Sequence, residues 1–316
     1  MIEIGPAAGR KGGQVIAQGK PADLVQDPQS LIGPYIAGRP NILYPKVATQ
    51  ATGVRTTMTV GQYFNLRDVT IEIPDNQITA VSGFSGAGKT SLILDSLVPA
   101  IEAHHKHEQL PQQVTQLTTD LTSVVSIDAK PVGKNTRSTL STYTNIMTNL
   151  RKLFAGLPES QAHNYGIAHF SYNNKEGACP NCGGGLGSII LDIQYLPDME
   201  EVCPECQGKR YKPAIEAIKW HGDSIVDLLA LSVEEAIPVF ADVPNILKEL
   251  KILKEIGLGY LRLGESTPSL SGGEAQRLKL VTHLNKKRAG TLFVFDEPSV
   301  GLHPRDVETL MGVLIN

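Results

Sequence analysis

Gly83-Phe84-Ser85-Gly86-Ala87-Gly88-Lys89-Thr90, GFSGAGKT in one-letter code, is the stretch whose reading decides the fold. It matches G-x-x-x-x-G-K-[ST], the pattern of a loop whose backbone N–H groups close around phosphates. In that reading the glycines allow the tight approach, Lys89 reaches the β- and γ-phosphates, and the Thr90 hydroxyl takes Mg²⁺. Working outward, Ile78–Ser82 is predicted as a short buried strand on the upstream side, and Lys89–Val98 as a helix downstream. Strand, glycine loop and helix in that order predict an α/β fold. The bland alternative, a glycine turn with a surface lysine, does not account for the flanking strand and helix. Leu66–Ile73 alternates polar and apolar residues, and Ser123–Ile127 is a short apolar run, so both are predicted strands. Residues 101–120, rich in Gln, His and Thr, carry little pattern. The His104, His105 and His107 cluster is read as a polar loop and not as a metal site.

Two later motifs belong with the loop. Leu292–Phe295 is an apolar strand ending in Asp296-Glu297-Pro298. In phosphate-loop enzymes the first carboxylate holds Mg²⁺, often through water, and the next residue orients the attacking water. A solvated acidic turn would look the same in isolation; the phosphate loop tips the balance. Leu270-Ser271-Gly272-Gly273-Glu274 opens a predicted helix, with Ser271 and Glu274 spaced as a capping box and two glycines admitting close approach of an anion. A last helix is predicted from about Pro304.

The chain has four cysteines, in two C-x₂-C pairs: Cys179/Cys182 and Cys203/Cys206. Each second cysteine is followed by a Gly-Gly or Gln-Gly, which relieves the turn around a metal. Four thiolates make a closed tetrahedral site suited to structural Zn²⁺. An iron site or metal-free redox pairs are the alternatives. Ser188–Leu196, strand-like, lies between the knuckles and is expected to project as a ribbon.

Upstream of the knuckles, Lys130, Lys134, Arg137, Arg151, Lys152 and Lys175 stand among Tyr143, Phe154, Tyr165, Phe170 and Tyr172. Such cations can neutralise DNA phosphates; a solvated basic face is the other reading. A net charge of −3 excludes a uniformly basic coat but not a local strip. No apolar run approaches the roughly 18 residues of a membrane span, and no signal peptide opens the chain, so cytoplasmic placement is expected. Gly/Pro-rich residues 1–40, with a short strand at Gln14–Gln18, read as the tail of a preceding domain.

With the phosphate loop, LSGGE and the acidic strand end in one chain, the sequence resembles ABC ATPases. The four-cysteine insertion between loop and signature makes the resemblance more specific: the chain is similar to the UvrA family. The stretches that carry this are VSGFSGAGKTSLILDSL, GKNTRSTLSTYTNI, RKLFAGLPES, CPNCGG, QYLPD before CPECQGKRY, IGLGYLRLGESTPSLSGGEAQRLKL and FDEPSVGLHPRD. The opening IEIGPAAGRKGGQVIAQG is similar to the end of the family's first ATPase domain. Nearly all of the chain is covered except about 41–57 and 101–122.

The resemblance implies a P-loop ABC-type ATPase core with an inserted helical and zinc-ribbon module. Its parts would be a tail of a preceding ABC domain (1–40), a linker (41–57), the core (58–128 and 257–316, C-terminally incomplete) and the insertion (129–256). ATP would be held by Gly83, Ser85, Gly86, Gly88, Lys89, Thr90 and Ser91. Asp296 would support Mg²⁺, and Glu297 and Lys89 would serve hydrolysis. Ser271, Gly272 and Gly273 would face the γ-phosphate on a second ABC ATPase domain, whether in another copy or another part of the protein. Lys130, Lys134, Arg137, Arg151 and Lys152 would lie along damaged double-stranded DNA, whose deformability is sensed more than its sequence. The implied role is damage recognition in bacterial nucleotide excision repair, tied to excinuclease action and the SOS response. A UvrB-type partner would be engaged only through regions the chain lacks.

The sequence departs from the family pattern in three ways. Asp128-Ala129-Lys130 stands where a Q-loop glutamine is expected, which leans toward a UvrA-like paralogue of the kind associated with drug resistance. The chain starts after the first ATPase domain is essentially over. It ends before the strand carrying the switch histidine, which would leave a gap between the phosphate-loop strand and the Asp296 strand. A partial gene product, deficient in ATP hydrolysis alone, is therefore expected. A non-catalytic remnant is the runner-up. A transporter ATPase domain is disfavoured by the zinc ribbon.

Overall fold

The computed structural model describes residues 1–7, 9, 12–38, 53, 55–128, 130, 132, 137–191, 199–284, 290–299 and 302–315. The chain divides into two compact units, one of residues 1–43, 130–282 and 299–314, the other of 44–129, 283–298 and 315–316. The first unit opens with an antiparallel pair, β1 (Ile2–Gly5) and β2 (Gln14–Gln18), followed by short helices α1 (Pro21–Gln26) and α2 (Gly33–Ile36). Glu3 ties these together. Its buried carboxylate accepts from Ser30 Oγ at 2.7 Å and from the backbone N–H groups of Leu31 and Ile32 at 2.8 and 2.9 Å.

In the second unit, β3 (Arg55–Tyr63) and β4 (Leu66–Pro74) form a hairpin whose two-residue tip is Phe64–Asn65; Phe64 takes a left-handed φ of 50°. Thr56, Met58 and Val60 alternate into the core, as the two-residue period of a strand requires. The glycine-rich segment Gly83–Gly88 then enters α3 (Lys89–Leu92), a π-helical turn (Ile93–Leu97) and α4 (Val98–Lys106). Leu97, Ala100 and Ile101, spaced i, i+3 and i+4, pack with Met58 and Val60, so the helix closes over the sheet. β5 (Val114–Thr118) completes an antiparallel sheet of order β4-β3-β5. Pro99 supplies no N–H at the π-to-α junction. Gln113 Nε2 donates to the Asp95 carbonyl there at 2.7 Å. β6 (Ser123–Ile127) pairs in parallel with the strand Thr291–Phe295 described below.

The chain re-enters the first unit through α5 (Leu140–Tyr143), α6 (Ile146–Ala155) and α7 (Pro158–Ala162). The antiparallel ribbon β7 (Ser188–Leu191) and β8 (Met199–Val202) follows. Next come α8 (Pro213–Glu216), α9 (Ile225–Ala230), α10 (Val233–Val239), α11 (Pro244–Glu255) and α12 (Gly272–Leu284). β9 (Thr291–Phe295) and α13 (Pro304–Ile315) end the sequence of elements. Leu150, Phe154, Leu228, Phe240, Leu250 and Leu278 belong to one apolar core that joins the inserted helices to α12. Each such fully buried side chain contributes about 2 kcal/mol of transfer free energy.

Several expectations change. Ile78–Ser82 is not a strand: the segment has no ladder partner among the described residues, and Ile78 is 60% exposed. The helix runs past Val98 to Lys106, which places His104 and His105 in its last turn and His107 in a left-handed cap. The patternless 101–120 segment holds the end of that helix and β5. β3 begins at Arg55, inside the stretch read as linker, most of which lies outside the described residues. The ribbon's first strand is described to Leu191; residues 192–198 lie outside the described set. No described helix is long and apolar enough to cross a membrane.

Candidate nucleotide site and metal centre

The loop Gly83–Gly88 turns sharply because Gly86 and Gly88 adopt φ of 78° and 96°. L side chains rarely take such values. Ala87 N–H donates to the Phe84 carbonyl at 3.1 Å. Lys89 folds back over the loop, its Nζ donating to the Gly83 and Phe84 carbonyls at 2.9 and 3.0 Å. The ammonium is thus held across the mouth of the loop, while Ser85 and Thr90 are exposed and Ser91 is half-buried on the first helical turn. Asn65 was not singled out from the sequence. From the β3–β4 tip its Nδ2 donates to the Gly86 carbonyl at 3.1 Å, and its Oδ1 would lie only 2.9 Å from a Cβ added at Gly88. An Asn in a two-residue hairpin tip is a turn signal; that the tip meets this loop is a tertiary fact.

In the same unit, Asp296 follows β9, and its N–H donates to the Ile127 carbonyl at 3.1 Å, extending the parallel ladder by one residue. Glu297 sits in the left-handed region at φ 46°. That conformation is uncommon for a residue other than glycine. The two carboxylates therefore leave the strand end on a sharp bend.

The signature segment lies in the other unit. Ser271 Oγ accepts from Glu274 N–H at 3.3 Å, and Glu274 Oε2 accepts from Ser271 N–H at 2.7 Å. The capping box is therefore formed. The Tyr260 hydroxyl donates to the other oxygen of Glu274. Burial, then the Glu274 carboxylate, push the Tyr260 phenol well above its ordinary range. Gly273 is packed so closely that a Cβ there would lie 2.2 Å from Leu302 Cδ2. Arg277, one turn on, is 3% exposed; it donates to the Gly273 and Gly257 carbonyls at 3.4 Å and lies 3.7 Å from Asp306.

The four cysteine sulfurs lie within 4.8 Å of one another. Cys179–Cys203 and Cys182–Cys206 are 3.9 and 3.6 Å apart. A tetrahedral ion with ~2.3 Å bonds to sulfur requires edges of ~3.8 Å, which these two edges match, and the remaining ones lie within 4.8 Å. The turns are built by backbone bonds from Gly183 to Cys179 at 2.9 Å and from Gln207 to Cys203 at 2.8 Å. The backbone N–H of Cys206, aided by that of Glu205, pulls the Cys203 thiol down to about 7, while burial pushes Cys182 up to about 12.

The basic residues do not form one set. Lys130, Arg137 and Lys152 are exposed, Lys134 lies outside the described residues, and Arg151 is half-buried with its Nε enclosed. Phe154, Phe170 and Tyr172 are core residues, so these aromatics are not available for stacking on bases. Phe154 and Phe170 pack at 5.5 Å, and Tyr211 donates to the Phe170 carbonyl at 3.1 Å, which fastens the cysteine module to α6. Ala129, the departure at the expected Q-loop, lies outside the described residues.

No protein-family model matches the chain. UvrABC system protein A of Thermus thermophilus is 40% identical over 318 residues, which is 99% of this chain and 33% of that protein. The protein of the same name from Escherichia coli K12 is 39% identical over 320 residues. The crystal structure of UvrA2 from Deinococcus radiodurans superposes with a TM-score of 0.90 at 38% identity, over 99% of this chain and 38% of that one. The chain spans about a third of the length of the curated relatives it matches. In sequence and in fold the chain is therefore similar, over nearly its whole length, to about a third of a UvrA protein.

Proposed function

We propose that the chain is the ATP-binding and DNA-handling portion of a UvrA-type damage-recognition subunit of nucleotide excision repair. The observation that carries this is identity of about 40% to UvrABC system protein A across 99% of the chain. The site geometry supports the division of labour. Gly83, Gly86 and Gly88 let the loop backbone surround phosphates, Lys89 faces the β- and γ-phosphates, and Ser85, Thr90 and Ser91 offer hydroxyls. Asp296 and Thr90 would hold Mg²⁺, which when bound neutralises charge on the phosphates of ATP. Glu297 orients the attacking water from its bent strand end. Ser271, Gly272 and Gly273 present a capped helix N-terminus to the γ-phosphate on a second ABC ATPase domain. Cys179, Cys182, Cys203 and Cys206 would hold structural Zn²⁺, which when bound cross-links the two knuckles. Lys130, Lys134, Arg137 and Lys152 are the cations offered to duplex phosphates, in the cytoplasm.

The domain reading goes with this proposal: an ATPase core of 58–128 and 257–316, an insertion of 129–256 and an N-terminal segment of 1–40. Similarity to UvrA2 keeps a second reading alongside, a paralogue in place of the housekeeping subunit.

The test is ATP turnover by the purified chain as a function of its concentration, with Lys89→Ala as reference. Turnover per chain that rises with concentration and vanishes in Lys89→Ala would assign hydrolysis to sites composed from two chains, each lending its signature to the other. No turnover above Lys89→Ala from folded protein removes hydrolysis from this chain. Zinc near one per chain, lost in Cys203→Ser, checks the metal assignment independently.

A further inference from the structure

Arg151 is set apart from the surface cations by what surrounds it. It projects from α6 into a cavity of about 220 Å³ lined by Thr142, Thr148, Ser171, Tyr172 and Asn173, with Met147 at its side. Its Nε is enclosed and has no hydrogen-bond partner, and no carboxylate lines the cavity. Nε itself is closed to any ligand, but the terminal nitrogens of this half-buried guanidinium face a cavity that offers them no carboxylate, so an acceptor placed there would meet an unneutralised charge. The walls are already committed and stiff. Thr142 Oγ1 donates to the Thr139 carbonyl at 2.9 Å, the Tyr172 hydroxyl lies 3.0 Å from Thr139 Oγ1, and Ser171 Oγ accepts from Asn173 N–H at 3.3 Å. Arg210, over the Tyr172 ring at 5.4 Å, adds a second positive charge beside the same wall. At ~30 Å³ per water, the space takes a phosphate group together with several waters.

We propose that this cavity is an oxyanion site that receives one phosphate group, with Arg151 as its charged donor and Thr148 and Asn173 as neutral ones. A planar guanidinium fork with flanking hydroxyl and amide groups is the donor set that suits tetrahedral oxyanions. The group is supplied either as free phosphate or as a backbone phosphodiester of duplex DNA. Only the second source rests on the DNA reading above.

The experiment uses the full chain carrying Lys89→Ala, which silences the phosphate loop. Inorganic phosphate is titrated calorimetrically at fixed ionic strength, and duplex binding is measured against salt, with and without Arg151→Gln. Saturable phosphate binding weakened about tenfold or more by Arg151→Gln assigns free phosphate. No phosphate binding, but a duplex affinity about tenfold weaker and a log K against log salt slope shallower by about one, assigns the phosphodiester. If Arg151→Gln fails to fold, Thr148→Val and Asn173→Leu are read in its place, each expected to weaken the same binding by about threefold to tenfold. Neither ligand responding to any of these substitutions overturns the proposal. Zinc content and ATP turnover of the parent chain report separately on the function proposed above.

Discussion

Three consecutive glycines after the first cysteine knuckle separate two physical effects that are usually confounded. Gly183 has φ of 65° and open space where a Cβ would go. Gly184 has φ of 82°, and a Cβ there would lie 1.8 Å from the Tyr172 carbonyl oxygen. Gly185 is outside the left-handed region, and its added Cβ would make ordinary contact at 3.8 Å with the Cys182 carbonyl. Alanine at Gly183 therefore meets only the left-handed penalty, about 1–2 kcal/mol. Alanine at Gly184 meets the same penalty and a backbone clash that only a shift of roughly 1 Å or more relieves. Because the obstruction is a carbonyl in the wall that joins the knuckle to the core, we expect a total of about 3–5 kcal/mol. Alanine at Gly185 should stay within about 0.5 kcal/mol. The assay is competition for zinc between the folded chain and a chromophoric chelator, supported by thermal unfolding. The expected series is about tenfold weaker retention for Gly183→Ala, more than about a hundredfold for Gly184→Ala and no more than about twofold for Gly185→Ala. Gly184→Ala equal to Gly183→Ala would refute the steric argument, since only the dihedral would then matter.

Three further outcomes are expected. Arg277→Ala should destabilise the first unit by about 2–3 kcal/mol in denaturant unfolding, because it leaves a cavity at a buried position and removes the side-chain donor from the Gly257 carbonyl. Asp306→Asn, which touches only the long and half-exposed edge of that cluster, should cost less than about 1 kcal/mol. The Ser224 hydroxyl, then its N–H and Lys219, hold Asp227 down at about 2, below its ordinary carboxylate value. The resulting stabilisation is full above about pH 4 and is lost as pH falls through about 2, so Asp227→Asn should flatten the acid limb of stability between those values. Gln113→Leu leaves the Asp95 carbonyl at the Pro99 junction without its donor. Because that bond is exposed and water can replace it, the cost should be about 0.5–1 kcal/mol, read as a lower unfolding midpoint.

What the sequence made legible is what local rules control. The Ser271/Glu274 capping box needs only a three-residue spacing, and it is formed. The cysteine pairs needed only C-x₂-C and glycines able to turn, and their sulfurs converge. β4, β6 and β9 show in their apolar patterns. Ile78–Ser82 misled because an apolar run becomes a strand only when another chain segment supplies its ladder, which no periodicity reports. The helix beyond Val98 was hidden by its composition: Ala100, Ile101 and Ala103 are buried, but the histidines that follow mask the face they define. Arg151 read as one cation in a strip, whereas α6 turns it inward into a cavity. Asn65 was invisible because its partner lies 21 residues away and across a turn.

The ribbon has an entropic consequence. β7 and β8 pair over only four residues each, less than an isolated hairpin needs to persist in water. Yet Cys182 and Cys203, which bound this excursion, belong to the same sulfur cage. Fixing both ends of an excursion of this length removes about 3 kcal/mol of disorder from the untethered alternatives. An ion held in the cage would therefore act as a clasp on the ribbon without touching it: filling the cage would shorten the leash and so favour the paired strands, while leaving the helices behind them unchanged.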